Sequence, residues 1–237
     1  MQELIVGLTT GAIYALIALG YTMVYGIIEL INFAHGDIFM IGTLISITIF
    51  GLFGITSSSQ PVGLTLVGLL IITCLGSMLV CAVLGVVIER VAYRPLRNSP
   101  RLAPLISAIG VSLILEDVGK LWKGVTYVSF PQILPQINYY IGPVYISSIN
   151  ILVIVVSIIL MVGLQWMITS TRTGRAMRAV AQDREAAALM GVNVDNIIGT
   201  TFFIGAALAG AAGFIYGLQY GSTIFYIGFQ LGLIAFT

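Results

Sequence analysis

Residues 38–88 read IFMIGTLISITIFGLFGITSSSQPVGLTLVGLLIITCLGSMLVCAVLGVVI, a run of 51 residues without one charged side chain. A helix that crosses a membrane needs ~20 apolar residues, so this run is long enough for two crossings and a turn. The turn is expected in residues 51–63, which contain the polar sequence Ser57-Ser58-Ser59-Gln60-Pro61. The run therefore predicts a protein that crosses a membrane more than once.

The composition of the whole chain agrees with this prediction. Of the 237 residues, 59% are hydrophobic and only 8% are charged, and the mean hydropathy is +1.08. Soluble domains carry about 25% charged residues, so this chain has too little polar surface for a soluble enzyme. The net charge of +1 gives no indication of a nucleic-acid partner.

Two further uncharged runs lie in the first half of the chain. Residues 4–28 predict one span, because 25 uncharged residues exceed the required length. Residues 102–115 number only 14, which is short for a crossing. We therefore expect this helix to tilt, to re-enter, or to carry Glu116 and Asp117 into the interface.

The second half of the chain adds a loop and more spans. Residues 124–143 contain three prolines and predict an extended loop, and a span follows at about residues 144–169. The next span ends near Tyr220, and residues 228–237 resemble the start of another without a polar stop. We predict an all-α transmembrane bundle of about six spans plus an incomplete last one. It forms a single domain over residues 1–237 that is truncated at its C-terminus.

Basic residues predict the orientation of the spans. Two clusters contain most of them: Arg90, Arg94, Arg97 and Arg101, then Arg172, Arg175, Arg178 and Arg184. Two spans separate the clusters, so both can face the cytoplasm, as the positive-inside rule favours. Lys120, Lys123 and the proline-containing loop then lie outside, together with the N-terminus. Residues 29–37 form either a loop or a break in a membrane helix.

Residues 170–195 form a cytoplasmic segment that is longer than a connection between two spans needs. The segment is rich in good helix formers, and Gly191 stands where a helix would end in a left-handed residue. One interpretation is a solvated amphipathic helix. The other is a docking helix that offers Ala186 and Ala187 to a groove on a partner, with Glu185 as the orienting charge.

Asn32, His35 and Asp37 interrupt two apolar stretches. Polar side chains beside or within lipid are costly and often functional. One interpretation is an interfacial turn capped by Asn32 and Asp37. The other is a part of a translocation path at a broken helix.

Small residues recur at intervals of four in two of the predicted spans. They are Gly205, Ala209, Gly213, Gly217 and Gly221 in one, and Gly7, Gly11 and Ala15 in the other. Such stripes let helix backbones approach closely, so we expect them to pack helices in a bundle or at a subunit contact.

Sequence patterns of catalysis, nucleotide binding and metal binding are missing. No G-x-x-x-x-G-K-[ST], G-x-S-x-G or H-E-x-x-H sequence occurs, and His35 is the only histidine. We predict no catalytic residue, no metal ligand and no cofactor, so any ATP must bind another chain. An intramembrane enzyme built on His35, Glu116 and Asp117 is an alternative, but these residues lack a recognisable catalytic spacing.

Several motifs resemble one family of transport proteins. Glu185-Ala-Ala-x-x-x-Gly191 resembles the EAA loop of membrane subunits of bacterial ABC importers. Four blocks are similar to the branched-chain amino acid permease family of the LivH type: ALIALGYTMVYGII at 15–28, INFAHGD at 31–37, ERVAYRP at 89–95 and LISAIG at 105–110. The resemblance covers essentially the whole chain.

The resemblance implies a subunit of a multi-pass transporter in the bacterial inner membrane. This chain would supply part of the path for leucine, isoleucine or valine, and ATP would be hydrolysed on partner chains. The implied partners are two ATP-binding subunits, a second permease chain and a periplasmic binding protein. Glu185, Ala186, Ala187 and Gly191 match the motif that couples permease to ATPase. Alternatives are a permease for urea, amides or another amino acid, or a truncated remnant that does not transport.

Overall fold

The helices of the structure follow the apolar runs of the sequence. The computed structural model describes residues 2–28, 32–55, 63–97, 99–100, 102–134, 138–141 and 144–236. Its helices are α1 (Gln2–Ile28), α2 (Ala34–Leu52), α3 (Leu64–Ile88), α4 (Leu102–Lys123), α5 (Ser148–Ser170), α6 (Arg172–Gln182), α7 (Arg184–Leu189), α8 (Val194–Tyr220) and α9 (Ile227–Phe236). α3 continues through a π-helical turn, Glu89–Tyr93, and a 3-10 turn, Arg94–Leu96.

Six of the described helices are long and apolar enough to cross a membrane. They are α1, α2, α3 with its extension, α4, α5 and α8, whereas α9 is a shorter apolar helix. The predicted fold class, a polytopic helical bundle of about six spans, is confirmed. The predicted turn at Ser57–Pro61 lies outside the described residues.

The structure changes one predicted boundary and decides another. α5 begins at Ser148 rather than near residue 144, because Val144–Ser147 forms a strand. α4 continues past the uncharged run to Lys123 and includes Glu116 and Asp117 within its 22 residues, which agrees with the expected option that the helix carries both acidic residues. Asp117 is exposed and forms an ion pair with Lys120, three residues later on the same face of α4, at 2.8 Å.

Short strands connect the helices at one end of the bundle. β1 (Val128–Ser129) pairs antiparallel with β4 (Ser222–Thr223), and β2 (Asn138–Ile141) pairs antiparallel with β3 (Val144–Ser147). We call this end the strand end. Lys120 lies at the same end, because its ammonium group is 4.9 Å from the centre of the Phe225 ring that follows β4.

The described residues of the two arginine clusters lie together at the opposite end, which we call the arginine end. Arg94 contacts Asp195 at the start of α8 at 2.6 Å, and Arg184 donates to the Ile27 carbonyl at the end of α1 at 2.8 Å. α1, α3 and α5 therefore run towards this end, and α8 runs away from it. This arrangement agrees with the predicted topology.

α2 and α8 occupy the middle of the bundle. α8 packs against α1, α2 and α3, and most side chains of α2 and α8 are buried. α5 contributes few buried residues, and its Ile and Val side chains largely face outward. A helix that is apolar on its outer faces suits contact with lipid.

Glycines in α8 allow backbone contact with the neighbouring helices. A Cβ placed on Gly210 would lie 2.7 Å from the Ser77 carbonyl oxygen, and one on Gly213 would collide with the Phe39 carbonyl. The hydroxyl of Ser77 lies 3.0 Å from the carbonyl oxygens of both Gly42 and Gly210 and bridges α2 and α8. A Cβ on Gly205 would likewise lie 3.2 Å from the Gly20 carbonyl oxygen of α1, so the predicted packing role of the stripe is confirmed at Gly205 and Gly213.

The glycines of α1 differ from those of α8. A Cβ on Gly7 or on Gly11 would meet no atom within 4 Å. This part of the stripe therefore faces away from the chain and packs no helix of the described bundle.

Candidate functional site

The segment between α5 and α8 forms two short helices rather than the single helix expected from its composition. Thr171 caps α6, since its hydroxyl accepts a hydrogen bond from the Gly174 backbone at 3.0 Å. The chain becomes extended at Asp183, whose carboxylate accepts from the Ala186 backbone at 2.9 Å and caps α7. An aspartate that binds backbone amides in this way competes with helix continuation, which explains the break.

Gly191 ends α7 in the conformation expected from the sequence. Its φ is +83°, a region that side chains other than glycine rarely adopt. Its backbone N–H donates to the Ala188 carbonyl, and the N–H of Val192 donates to the Ala187 carbonyl, each at 3.0 Å. Asn193 then caps α8 by accepting from the Asn196 backbone at 3.1 Å. The segment turns sharply back into the bundle at this glycine.

The exposed side chains of α7 differ from those expected. Glu185 and Ala186 are exposed, as a docking surface requires, but Ala187 is buried within the chain itself and cannot be offered to a partner groove. Instead, Leu189 and Met190 are 88% and 84% exposed beside the turn. We did not single out these two residues from the sequence, although two apolar residues directly before Gly191 are a visible signal.

Arg184 joins the segment to the first span. Its guanidinium donates to the Ile27 carbonyl, one of the last carbonyls of α1, which a helix leaves without intrahelical partners. A cavity of about 420 Å³ lies beside this contact. Its lining includes Ile27, Arg97, Pro104, Gln182, Arg184 and Glu185.

A network of charges fixes α3 to α8 at the arginine end. Arg97 bonds both to the buried carboxylate of Glu89 and to Asp195, and Arg94 also bonds to Asp195. Sequence reasoning used these arginines for topology alone and missed their partners. A buried carboxylate needs a paired cation, and Arg97 provides it for Glu89.

Asn32 contacts the end of the α3 extension. Its side-chain oxygen accepts a hydrogen bond from the Tyr93 hydroxyl at 2.8 Å, and its backbone carbonyl accepts from the His35 N–H at 3.0 Å. The structure therefore does not show the expected side-chain caps of an interfacial turn. Asn32 is held by Tyr93, and Asp37 lies within α2.

His35 faces α1. Its ring centre lies 4.6 Å from that of Tyr21, and its Nε2 atom occupies the space that a side chain on Gly20 would need. The Tyr21 hydroxyl accepts a hydrogen bond from the Gly36 backbone at 3.2 Å. Nε2 of His35 is buried and has no hydrogen-bond partner among the described residues.

Asp37 faces α4 and α9. Its Oδ2 atom accepts a hydrogen bond from the Ser112 hydroxyl, whereas Oδ1 has no partner in the described part of the chain. A Cβ placed on Gly228 in α9 would lie 2.8 Å from Oδ1. The structure therefore brings His35 and Asp37 to one level of the bundle but directs them, with Asn32, at different neighbours.

This level lies inside the bundle and below the arginine end. Tyr21, which contacts both His35 and Gly36, precedes the end of α1 at Ile28 by seven residues, or ~10 Å of helix. His35 and Asp37 are 1% and 0% exposed. Two titratable side chains are thus buried among helices that are apolar enough to span a membrane, where polar residues are costly and often functional.

Comparisons with known proteins give the family. A profile described as "Branched-chain amino acid transport system / permease component" matches residues 4–237. The chain is 45% identical over 245 aligned residues to the high-affinity branched-chain amino acid transport system permease protein BraD of Pseudomonas aeruginosa. It is 41% identical over 243 residues to the permease protein LivH of Escherichia coli (strain K12). Each alignment covers 100% of this chain and 77% of the relative.

A more distant relative is the probable branched-chain amino acid transport permease protein LivH of Methanocaldococcus jannaschii. It is 27% identical over 211 residues, which cover 84% of this chain and 60% of the relative. No solved structure matches the chain significantly. With a family profile over almost the whole chain and relatives above 40% identity, this multi-pass membrane protein belongs to the permease family of branched-chain amino acid transport systems.

Proposed function

We propose that this chain is the membrane-spanning permease subunit of an ATP-driven importer of branched-chain amino acids in a bacterial inner membrane. The observation that carries the proposal is the match of residues 4–237 to permeases of these systems. The chain forms part of the path for leucine, isoleucine or valine. Its partners are ATP-binding subunits, a second permease subunit and a periplasmic substrate-binding protein, and ATP is hydrolysed on the ATP-binding subunits.

The segment 170–195 is the coupling segment, and it lies on the cytoplasmic side. Its geometry supports this role, because α7 ends in two exposed apolar side chains and is anchored by Arg184 to α1. Movement of α7 by an ATP-binding subunit would therefore pull on a helix that contacts His35 through Tyr21. Glu185, Ala186 and Gly191 contribute to docking, and Ala187 holds α7 to its own chain.

Asn32, His35 and Asp37 contribute to the translocation path. Burial of His35 and Asp37 at one level between α1, α4 and α9 supports this part of the proposal. With Asp37 covered by α9 and His35 by α1, the path is closed at this level. Transport then requires alternating separation of these helices, as in other transporters with broken membrane helices.

The proposal is tested by reconstituting the full importer in proteoliposomes with external binding protein and internal ATP. Uptake of labelled leucine is expected, and labelled urea should give none. Uptake of urea without leucine would show the alternative substrate class. Absence of any uptake by the assembled complex would contradict the transport function.

The coupling role is tested in the same proteoliposomes with Glu185→Lys and Gly191→Val. Both should abolish uptake, and for Gly191→Val the reason is that valine is strained at φ +83°. The permease should still insert, because neither residue lies in a span. The matched controls are Gln182→Lys, on the exposed end of α6, and Gly191→Asn, since asparagine tolerates this region better. Normal uptake and normal ATPase association in both test variants would contradict the assignment.

A further inference from the structure

Asp37 is distinguished from the other buried carboxylate of the described chain by its lack of a cation. The buried carboxylates among the described residues are Asp37 and Glu89. Glu89 is paired with Arg97 at the arginine end. Asp37 accepts one hydrogen bond from the Ser112 hydroxyl, and its Oδ1 atom has no hydrogen-bond partner in the described residues.

A lone carboxylate is expensive at this position. An ionised group at membrane depth is stable only when it is neutralised or paired, because lipid and packed protein solvate charge poorly. The basic residue further along α4, Lys120, lies eight residues or ~12 Å beyond Ser112 and is bonded to Asp117. The described part of the chain thus keeps an acidic group inside the bundle without supplying the cation that would stabilise it.

The helix that covers Asp37 is suited to move away from it. α9 contacts α2 through Gly228 and Gly232, which lie against Gly36, and a Cβ on Gly228 would approach both the Gly36 carbonyl and the Asp37 Cα atom. At these positions the two helices meet through glycines and not through interlocked side chains. Separation of α9 from α2 there would expose Oδ1, while Leu231 is buried and the Phe236 ring centre lies 6.2 Å from that of Tyr21.

We propose that Asp37 binds the ammonium group of the amino acid as it passes through the permease. The inference rests on the proposed transport function, because the transported amino acids carry this cation. Carboxylate and ammonium form a charge-assisted hydrogen bond, and the Ser112 hydroxyl orients the carboxylate for it. The bare carboxylate of the closed state is a site that the substrate completes once α9 moves aside.

The first test uses transport kinetics of the whole importer. Asp37→Asn should lower leucine uptake at least about tenfold, the size that one lost charge produces at intermediate dielectric, and Asp37→Glu should retain more activity. Asp117→Asn, an exposed carboxylate on α4, is the matched control and should be near wild type. If the wild-type importer takes up leucine and the Asp37→Asn importer takes it up at the same rate, this inference is overturned but the transport function stands.

A second test separates substrate contact from a structural role beside α9. Ser112→Cys is introduced with Cys74→Ala and Cys81→Ala, and its thiol is modified during ATP turnover. The cationic aminoethyl methanethiosulfonate should react about tenfold or more faster than its anionic sulfonatoethyl analogue. The preference should vanish with Asp37→Asn, and leucine-loaded binding protein should slow the cationic reagent.

Three results would overturn the inference. The first is equal rates for the two reagents, because Asp37 would then exert no field on the path. The second is equal slowing of the cationic reagent by leucine-loaded and by empty binding protein. The third is that Asp37→Asn lowers uptake only by as much as it lowers the amount of assembled complex. Asp37 would then be a structural partner of α9.

Discussion

α8 and the α6–α7 segment follow each other in the sequence but lie in opposite environments. In α8 the small residues are buried, and Gly210 and Gly213 touch the backbones of α3 and α2. In α7 Ala186 is exposed, and the side chains of Leu189 and of Met190, directly after the helix, are almost fully exposed. Substitutions in α8 should therefore act through the packing of this chain, and those in α7 through contact with another chain.

The largest effect on the folding of the permease itself is expected for Gly213→Leu. The new side chain would collide with the Phe39 carbonyl and the Thr43 amide, which are backbone atoms and cannot rotate away. Overpacking costs about 1–3 kcal/mol and more where backbone must shift. The amount of folded permease after detergent extraction should fall several-fold by size-exclusion profile. Leu218→Val, a buried control in the same helix, should cost only about 1 kcal/mol.

A large effect of a different kind is expected for the double variant Leu189→Ser and Met190→Ser. Burial of each side chain in a partner groove would contribute about 1.5–3 kcal/mol, so the affinity for the ATP-binding subunit, measured by co-purification, should fall at least about a hundredfold. The permease itself should extract and melt as wild type. Leu64→Ser, equally exposed at the strand end, is the control. Loss of permease stability in the double variant would break the contrast between the two regions.

Arg184→Ala is expected to uncouple the two regions. The Arg184 guanidinium donates a charge-assisted hydrogen bond to the Ile27 carbonyl. Such a bond stabilises a protein by about 1.5–3 kcal/mol where solvent is excluded, and by less here because Arg184 is partly exposed. ATP-binding subunits should still associate, while leucine uptake per ATP hydrolysed falls several-fold. Arg184→Lys should retain part of the leucine uptake per ATP hydrolysed, and Arg175→Ala should have little effect on it. Reduced association with unchanged uptake per ATP would place Arg184 at the docking surface instead.

The smallest effect is expected for Gly11→Ala in α1. No atom lies within 4 Å of the added methyl group, and alanine favours the helix, so stability should stay level or rise by up to ~1 kcal/mol. Gly205→Ala in α8 is the matched opposite, since its methyl group would lie 3.2 Å from the Gly20 carbonyl. Thermal melts of the two purified variants check the difference. Equal losses would mean that both stripes pack within this chain.

The lengths of the uncharged runs and the positions of the basic residues were sufficient to predict the spans and the two ends of the bundle. An uncharged run as long as residues 38–88 favours membrane helices, because backbone groups in lipid must be satisfied internally and a helix does this within one segment. The arginine clusters predicted which loops share an end, and the contacts of Arg94 and Arg184 agree. The conformation of Gly191 was also predictable, because a helix end in the left-handed region favours glycine.

Tertiary structure alone decided what each predicted residue faces. The break at Asp183 depends on a local hydrogen bond that competes with the helix, and the burial of Ala187 depends on how α7 folds back. Neither follows from helix propensity, which ranks residues without their neighbours.

The same limit applies to the polar residues inside the bundle. The sequence alone determined that Asn32, His35 and Asp37 would be costly in a membrane. Only the packing of α1, the α3 extension and α4 around α2 decided that Asn32 meets Tyr93, His35 meets Tyr21 and Asp37 meets Ser112. Apolar length and charge are properties of one segment, whereas partners are set by contacts between segments that are distant in the sequence. For that reason this sequence defines the membrane bundle, and the tertiary structure decides that Asp37 has no cation beside it among the described residues.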